Sequence, residues 1–283
     1  MFSDMRARVL FLLCILALLS APAMAAPVSG TYDGRDMLLH VPARLPPEGG
    51  RALVLVLHGG LGQASRIENS GQESGMSMDA VADKYGFIVA YLNGTPVTRF
   101  LGAKFKSWNA GGGCCGLPYK NNVDDVGYIE GAVGYLSKKY GIDPAQVFSI
   151  GHSNGAIMTQ RLLCESHVLS AGVAVSGPLN LDDTTCPAAK GHRILSVHGA
   201  NDQNVPLNGG RGSKGISGVT FKSEAASQAA FTKAGATYTL KVVQGADHSL
   251  NRIDAAIQQT DGASLAEEAV QFFGLDHPST GGR

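Results

Sequence analysis

The sequence predicts an α/β domain built on a mostly parallel central sheet with helices on both faces. Short, almost wholly apolar runs recur along the chain. Each is followed by a longer segment of helical periodicity. The stretches between them are rich in glycine, with 37 in 283 residues. A strand that is apolar at every position, not at alternate ones, belongs in a sheet covered on both sides, where neither face meets water.

The apolar runs fall at 53–57, 87–91, 147–150, 172–175, 194–197 and 238–243, and are expected to be strands. Helical patterns fall at 78–85, 124–140, 154–164, 223–233 and 264–273. Asp124 and Asp125 open the second of these, where a carboxylate caps free N–H groups and favours the helix dipole. Two stretches, 93–123 and 208–218, read as long loops. The first carries the sole tryptophan, Trp108, together with Cys114 and Cys115. It is expected to be an ordered, stapled loop beside a site. Trp108 is the candidate substrate-lining aromatic, with a core role pinning the loop as the alternative. The second is glycine-rich and expected to be mobile. No internal repeat is present.

Composition narrows the class. Hydrophobic residues make up 44% of the chain and charged residues 16%, a balance suited to a packed enzyme domain. Lysine plus arginine number 23, as do aspartate plus glutamate, so no basic excess points to nucleic acid or anionic membrane. The amino terminus carries Arg6 and Arg8, then an apolar run at 9–19 too short to span a bilayer, then Ala23-Met24-Ala25. That pattern predicts a signal peptide at 1–25, a secreted domain at 26–283, and no stable membrane insertion after cleavage. Export implies an oxidising compartment. Without Cys14, four cysteines are left: Cys114, Cys115, Cys164 and Cys186. Two disulfides are expected, with three connectivities open. A Cys164–Cys186 bridge would close a loop of about 20 residues, worth about 3 kcal/mol.

Gly151-His152-Ser153-Asn154-Gly155 fits G-x-S-x-G, between an expected strand and an expected helix. In that setting a serine stands exposed on a sharp turn, and its flanking glycines leave room for the turn. Serine needs a base to take its proton. In folds with such an elbow the acid and then the histidine follow later in the chain. Asp202 follows the strand at 194–197 and His248 follows the strand at 238–243, both at carboxyl ends of strands where ligands bind in open α/β sheets. Ser153, Asp202 and His248 are therefore the expected triad. Asp182, Asp183 and Asp247 are rival acids. His198 is expected to support the Asp202 loop, and His152 to pack beneath the elbow. His40, His167, His192 and His277 carry no motif.

Acyl transfer also needs donors for an oxyanion. The strand at 53–57 ends in His58-Gly59-Gly60-Leu61-Gly62. Gly60 N–H, with Leu61 as the near alternative, and Asn154 N–H are the expected donors. A dinucleotide reading of the same loop fails, because Ser65 stands where the third glycine of G-x-G-x-x-G belongs. No histidine pair has metal-ligand spacing. Neither cofactor nor metal is expected.

Taken together, the motifs His58-Gly59-Gly60, Ser107-Trp108-Asn109-Ala110-Gly111-Gly112-Gly113-Cys114-Cys115-Gly116, Val123-Asp124-Asp125-Val126 and the serine elbow resemble the esterase/polyhydroxybutyrate-depolymerase family, which is akin to the feruloyl and acetylxylan esterases. The resemblance spans about 29–273. It implies the α/β-hydrolase fold and hydrolysis of carboxylic esters, with the same three triad residues. The pattern departs at Leu250, where members often carry tryptophan, at Ala246-Asp247, where a glycine pair is usual, and at Ala156, where glycine is common. These positions bear on the substrate. Hydroxyalkanoate esters are expected first, and feruloyl or acetyl esters on plant polysaccharides second. A serine peptidase and a binding protein without turnover are the rivals from other classes.

Overall fold

The computed structural model describes residues 28–68, 74–98 and 104–277. The expected signal peptide lies outside them. Strands β1 (Val28–Tyr32) and β2 (Arg35–His40) form an antiparallel hairpin. Its turn is Asp33-Gly34, both with positive φ, the pairing that a tight two-residue hairpin demands. Six further strands follow: β3 (Arg51–Leu57), β4 (Ile88–Leu92), β5 (Ile142–His152), β6 (Ala171–Val175), β7 (Arg193–Gly199) and β8 (Thr237–Val243). They form one sheet in the order β1-β2-β4-β3-β5-β6-β7-β8. β3 to β8 run parallel, and β2 joins β4 antiparallel.

Eight helices accompany the sheet among the described residues: α1 (Ala64–Glu68), α2 (Asp79–Tyr85), α3 (Gly116–Lys120), α4 (Asp125–Tyr140), α5 (Asn154–Glu165), α6 (Glu224–Lys233), α7 (Leu250–Asp261) and α8 (Leu265–Phe273). Strand residues divide between two cores by their period of two. Leu53, Leu55 and Leu57 face Ile129 of α4, Leu162 of α5 and Phe231 of α6. Val54 and Val56 face Ile67 of α1, Ala82 of α2, Ile253 of α7 and Val270 of α8. Both faces are thus covered, as the continuous apolar runs require.

All six expected strands and five expected helices are present. The hairpin and α1, α3 and α7 were not anticipated. β1, Val-Ser-Gly-Thr-Tyr, has no apolar run because it lies exposed at the edge. The Asp33-Gly34 turn was its readable signal. α7 buries Leu250, Ile253 and Ile257, a sparse stripe on an otherwise polar helix. In the long loop, Thr95–Pro96 pairs with Lys106–Ser107, which draws its described ends together. Asp124 caps α4, accepting from Gly127 N–H at 2.8 Å. Asp125 does more than open the helix. It is fully buried, pairs with Arg35, and accepts from Asn109 N–H at 2.6 Å, so it ties the Trp108 loop to both α4 and the hairpin.

Candidate active site

β5 runs directly into α5, and Ser153 occupies the join with φ 55° and ψ −118°. The flanking glycines are forced by space. A β-carbon on Gly151 would lie 2.2 Å from Gly155 O, and one on Gly155 would lie 2.1 Å from Leu57 O. Ser153 N–H donates to Val175 O at 2.8 Å, which fastens the turn to β6. The serine hydroxyl is thereby held above the carboxyl edge of the sheet.

The loops after β7 and β8 bring Asp202 and His248 to the same edge. Gly199 permits this approach, since a β-carbon there would lie 2.3 Å from Asp247 O. His248 Nδ1–H donates to Asp202 Oδ2 at 2.7 Å, and its Nε2 stands 3.0 Å from Ser153 Oγ. Asp202 Oδ1 accepts from Asn204 N–H and Val205 N–H at 2.8 and 2.9 Å. Burial raises the basicity of Asp202, but hydrogen bonds from His198 and His248 outweigh it and hold the carboxyl well below the usual range. An ionised carboxylate fixes the His248 tautomer with its Nε2 lone pair toward the serine, the arrangement that makes a serine nucleophilic.

The rival acids lie elsewhere. Asp247 accepts from Ser249 N–H and pairs with Arg252 at the surface. Asp183 caps Thr185 N–H. His152 is packed in, as expected, and also borders the cleft. Its Nε2–H donates to His248 O at 3.0 Å and its ring lies 5.0 Å from that of His248. Burial, with the His248 charge, lowers its pKa to about 3, so it acts as a neutral donor that steadies the His248 loop.

Gly60, Leu61 and Asn154 line the same cavity as Ser153. The first intrahelical bond of α5 runs from Ile157 N–H to Ser153 O, which leaves Asn154 N–H outside the helical ladder. Leu61 has φ 64° and Gly62 N–H closes back on Gly59 O, so the loop turns tightly beside the serine.

Trp108 takes the alternative core role and not the substrate-lining one. It is fully buried and does not line the cleft. Its indole N–H donates to His58 O at 3.0 Å. Its main chain pairs with the Asn154 side chain, N–H to Oδ1 at 2.7 Å and Nδ2 to Trp108 O at 3.1 Å. Trp108 therefore joins the loop carrying Gly60 to the residue after the serine. His58 is neutral, donating through Nδ1 to Gly59 O and accepting at Nε2 from Gly94 N–H, and burial lowers its pKa to about 4. The sequence showed the pieces of this brace, but an asparagine within G-x-S-x-G gives no local sign of where its side chain goes.

The cleft is a cavity of about 540 Å³. Its walls include Leu61, Val97, Ile157, Val205, Ile216 and Phe221, with the Cys114–Cys115 disulfide on one side. The second disulfide joins Cys164 and Cys186. The glycine-rich stretch at 208–218 contributes Lys214 to Ser217 to the wall, and Ile216 is 84% exposed.

No protein-family model matches the chain. It is 33% identical over 178 residues to a putative esterase, NocK, of Nocardia uniformis subsp. tsuyamanensis, covering 62% of this chain and 47% of that protein. It is 25% identical over 180 residues to feruloyl esterase B of Piromyces equi, covering 62% and 31%. It is 32% identical over 155 residues to a poly(3-hydroxybutyrate) depolymerase of Ralstonia pickettii, covering 48% and 28%. The chain thus spans less than half the length of these curated relatives. Among solved structures it is similar to TT1662 from Thermus thermophilus, with TM-score 0.57, 18% identity, and 88% and 96% of the two chains covered. The acetyl xylan esterase from Aspergillus awamori gives TM-score 0.56, 16% identity, and 89% and 100% covered. At these identities the likeness is one of fold, and the fold of this chain is that of the α/β hydrolases.

Proposed function

We propose that the chain is a secreted serine hydrolase of carboxylic esters, with Ser153, His248 and Asp202 as its triad. The observation that carries this reading is the unbroken relay from Asp202 Oδ2 through His248 to Ser153 Oγ, opening into an apolar cavity. Ser153 attacks the ester carbonyl while His248 takes its proton. Asn154 N–H, with Gly60 or Leu61 N–H, stabilises the oxyanion. The tetrahedral adduct collapses as His248 protonates the leaving alcohol. Water then releases the acid by the same steps, leaving Ser153 free.

Relatives named as esterase, feruloyl esterase and poly(3-hydroxybutyrate) depolymerase support ester chemistry. The cavity favours a short aliphatic acyl group, of the hydroxyalkanoate kind, over an aromatic one. Besides its histidines, Phe221 is the aromatic residue among walls that are aliphatic at Leu61, Val97, Ile157, Val205 and Ile216 and polar at Thr98, Asn204, Lys214 and Ser217. Export is supported by the sequence at 1–25 and by two disulfides among the described residues.

The test is hydrolysis of p-nitrophenyl acetate, 3-hydroxybutyrate oligomers and methyl ferulate by wild type and Ser153→Ala. The expected result is turnover by wild type, greatest kcat/KM on the hydroxybutyrate oligomers, and loss of about four to six orders of magnitude in the variant. A preference for methyl ferulate would reverse the substrate order. No turnover of any ester by folded protein would overturn the proposal.

A further inference from the structure

One buried histidine at the centre of the site takes no part in that mechanism. His198 lies near the end of β7 and is fully buried. Its Nε2 is 2.8 Å from Val205 O and 3.3 Å from Asp202 Oδ2. Its Nδ1 is 2.8 Å from Glu224 Oε1, at the start of α6. Glu224 is itself 1% exposed, and its Oε2 accepts from Tyr238 OH of β8 at 2.6 Å.

A neutral imidazole has one N–H and one lone pair. Here both ring nitrogens face acceptors. A carbonyl cannot donate, so Nε2 must carry a proton. A neutral ring would then turn its Nδ1 lone pair toward a buried carboxylate, where no water relieves the repulsion. Without a cation between them, Asp202 and Glu224 would be two buried carboxylates with no counter-charge.

We propose that His198 is held as an imidazolium between Asp202 and Glu224 and is a positioning residue for the triad, keeping Asp202 ionised with Oδ2 turned to His248 and moderating the negative field that His248 feels. This rests on the triad reading above. The charged and titratable groups around it are Asp202 on its own loop, Glu224 on α6 and Tyr238 on β8. Beyond Asp202 stand His248 and the neutral His152. Burial disfavours the charged ring, but hydrogen bonds to Asp202 and Glu224 outweigh it and raise its pKa to about 10. Removing that charge leaves Asp202, which faces His248, and Glu224 behind it without a counter-charge, so the negative field at His248 grows and the ring holds a proton more firmly.

The experiment is a histidine-selective ¹⁵N NMR titration of wild type, His198→Gln, Glu224→Gln and His248→Gln, the first and last variants serving to assign signals. The expected wild type shows one histidine with both ring nitrogens protonated from about pH 5 to about pH 9, and that signal is lost in H198Q. The His248 midpoint in H198Q rises by about one unit or more, and the acid limb of kcat/KM moves with it. In E224Q the proton leaves His198 at a pH lower by about one unit or more. A neutral His198 tautomer in wild type at neutral pH overturns the proposal. So does an unmoved His248 midpoint in folded H198Q, or an unmoved His198 midpoint in E224Q if H198Q does not fold. None of these signals requires turnover, so an absence of esterase activity is a separate result.

Discussion

At the residue scale the site depends on groups whose backbone or charge would be unfavourable alone. Ser153 holds a positive φ that a residue with a β-carbon seldom adopts, and two glycines and the bond to Val175 enforce it. Trp108 is the brace between the Gly60 loop and Asn154, the two sides of the proposed oxyanion region, so its substitution separates packing from positioning. Trp108→Phe keeps most of the ring volume and loses the bond to His58 O. It is expected to lower kcat about fivefold to tenfold with little change in KM, the equivalent of one neutral hydrogen bond, as steady-state kinetics will show. Trp108→Ala is expected to cost about 3–5 kcal/mol of stability in urea unfolding. The meeting of Ser153, Asp202 and His248 at one edge of the sheet was legible because each follows a strand in the order the elbow demands. The position of Trp108 was not, since a tryptophan buries its area equally well in a core or a cleft wall. The hold of His198 on the Asp202 loop was legible, but its bond to Glu224 and that of His152 to His248 were not, because those partners are 26 and 96 residues away in sequence.

At the element scale the sharp β5–α5 junction sets the geometry. Gly151→Ala and Gly155→Ala each drive a methyl group into backbone oxygen, and neither neighbour can rotate away. Each is expected to destabilise by about 3 kcal/mol or more, or to prevent soluble expression, as thermal unfolding of the purified protein will show. The Cys164–Cys186 bridge ties the end of α5 to the loop before β7, on the far end of α5 from Ser153. Its sequence separation of 22 makes it worth about 3 kcal/mol by loop entropy. The double Ala variant is expected to lose that stability while keeping kcat within about twofold of wild type. The parallel strands were legible from their continuous apolarity, and α4, α5 and α8 from their periodicity. The edge hairpin was hidden because an exposed strand carries no apolar run, whereas α7 had a readable helical stripe in Leu250, Ile253 and Ile257, set in an otherwise polar segment.

At the scale of the whole molecule, buried histidines shape stability against pH. His58 and His152 have pKa values lowered to about 4 and about 3 from an ordinary 6.5. Between those values and 6.5 the unfolded chain takes up protons that the folded chain refuses, so stability falls as pH drops below about 6.5. His198 runs the other way. Its raised pKa contributes stability that is complete below about 6.5 and is lost as pH rises toward about 10. Urea midpoints are therefore expected to peak near neutral pH and decline on both sides, and H198Q is expected to flatten the alkaline decline. Midpoints that climb toward about pH 4.5 would contradict this assignment. The central claim is that the eight-stranded sheet presents an activated serine at its carboxyl edge. Its most direct test is covalent labelling by a p-nitrophenyl phosphonate, followed by intact and peptide mass on wild type, S153A and H248Q. The account predicts one adduct per wild-type chain, located at Ser153, none in S153A, and labelling slowed by about three orders of magnitude or more in H248Q. Folded wild type that takes no label, or takes it at another residue, would contradict it.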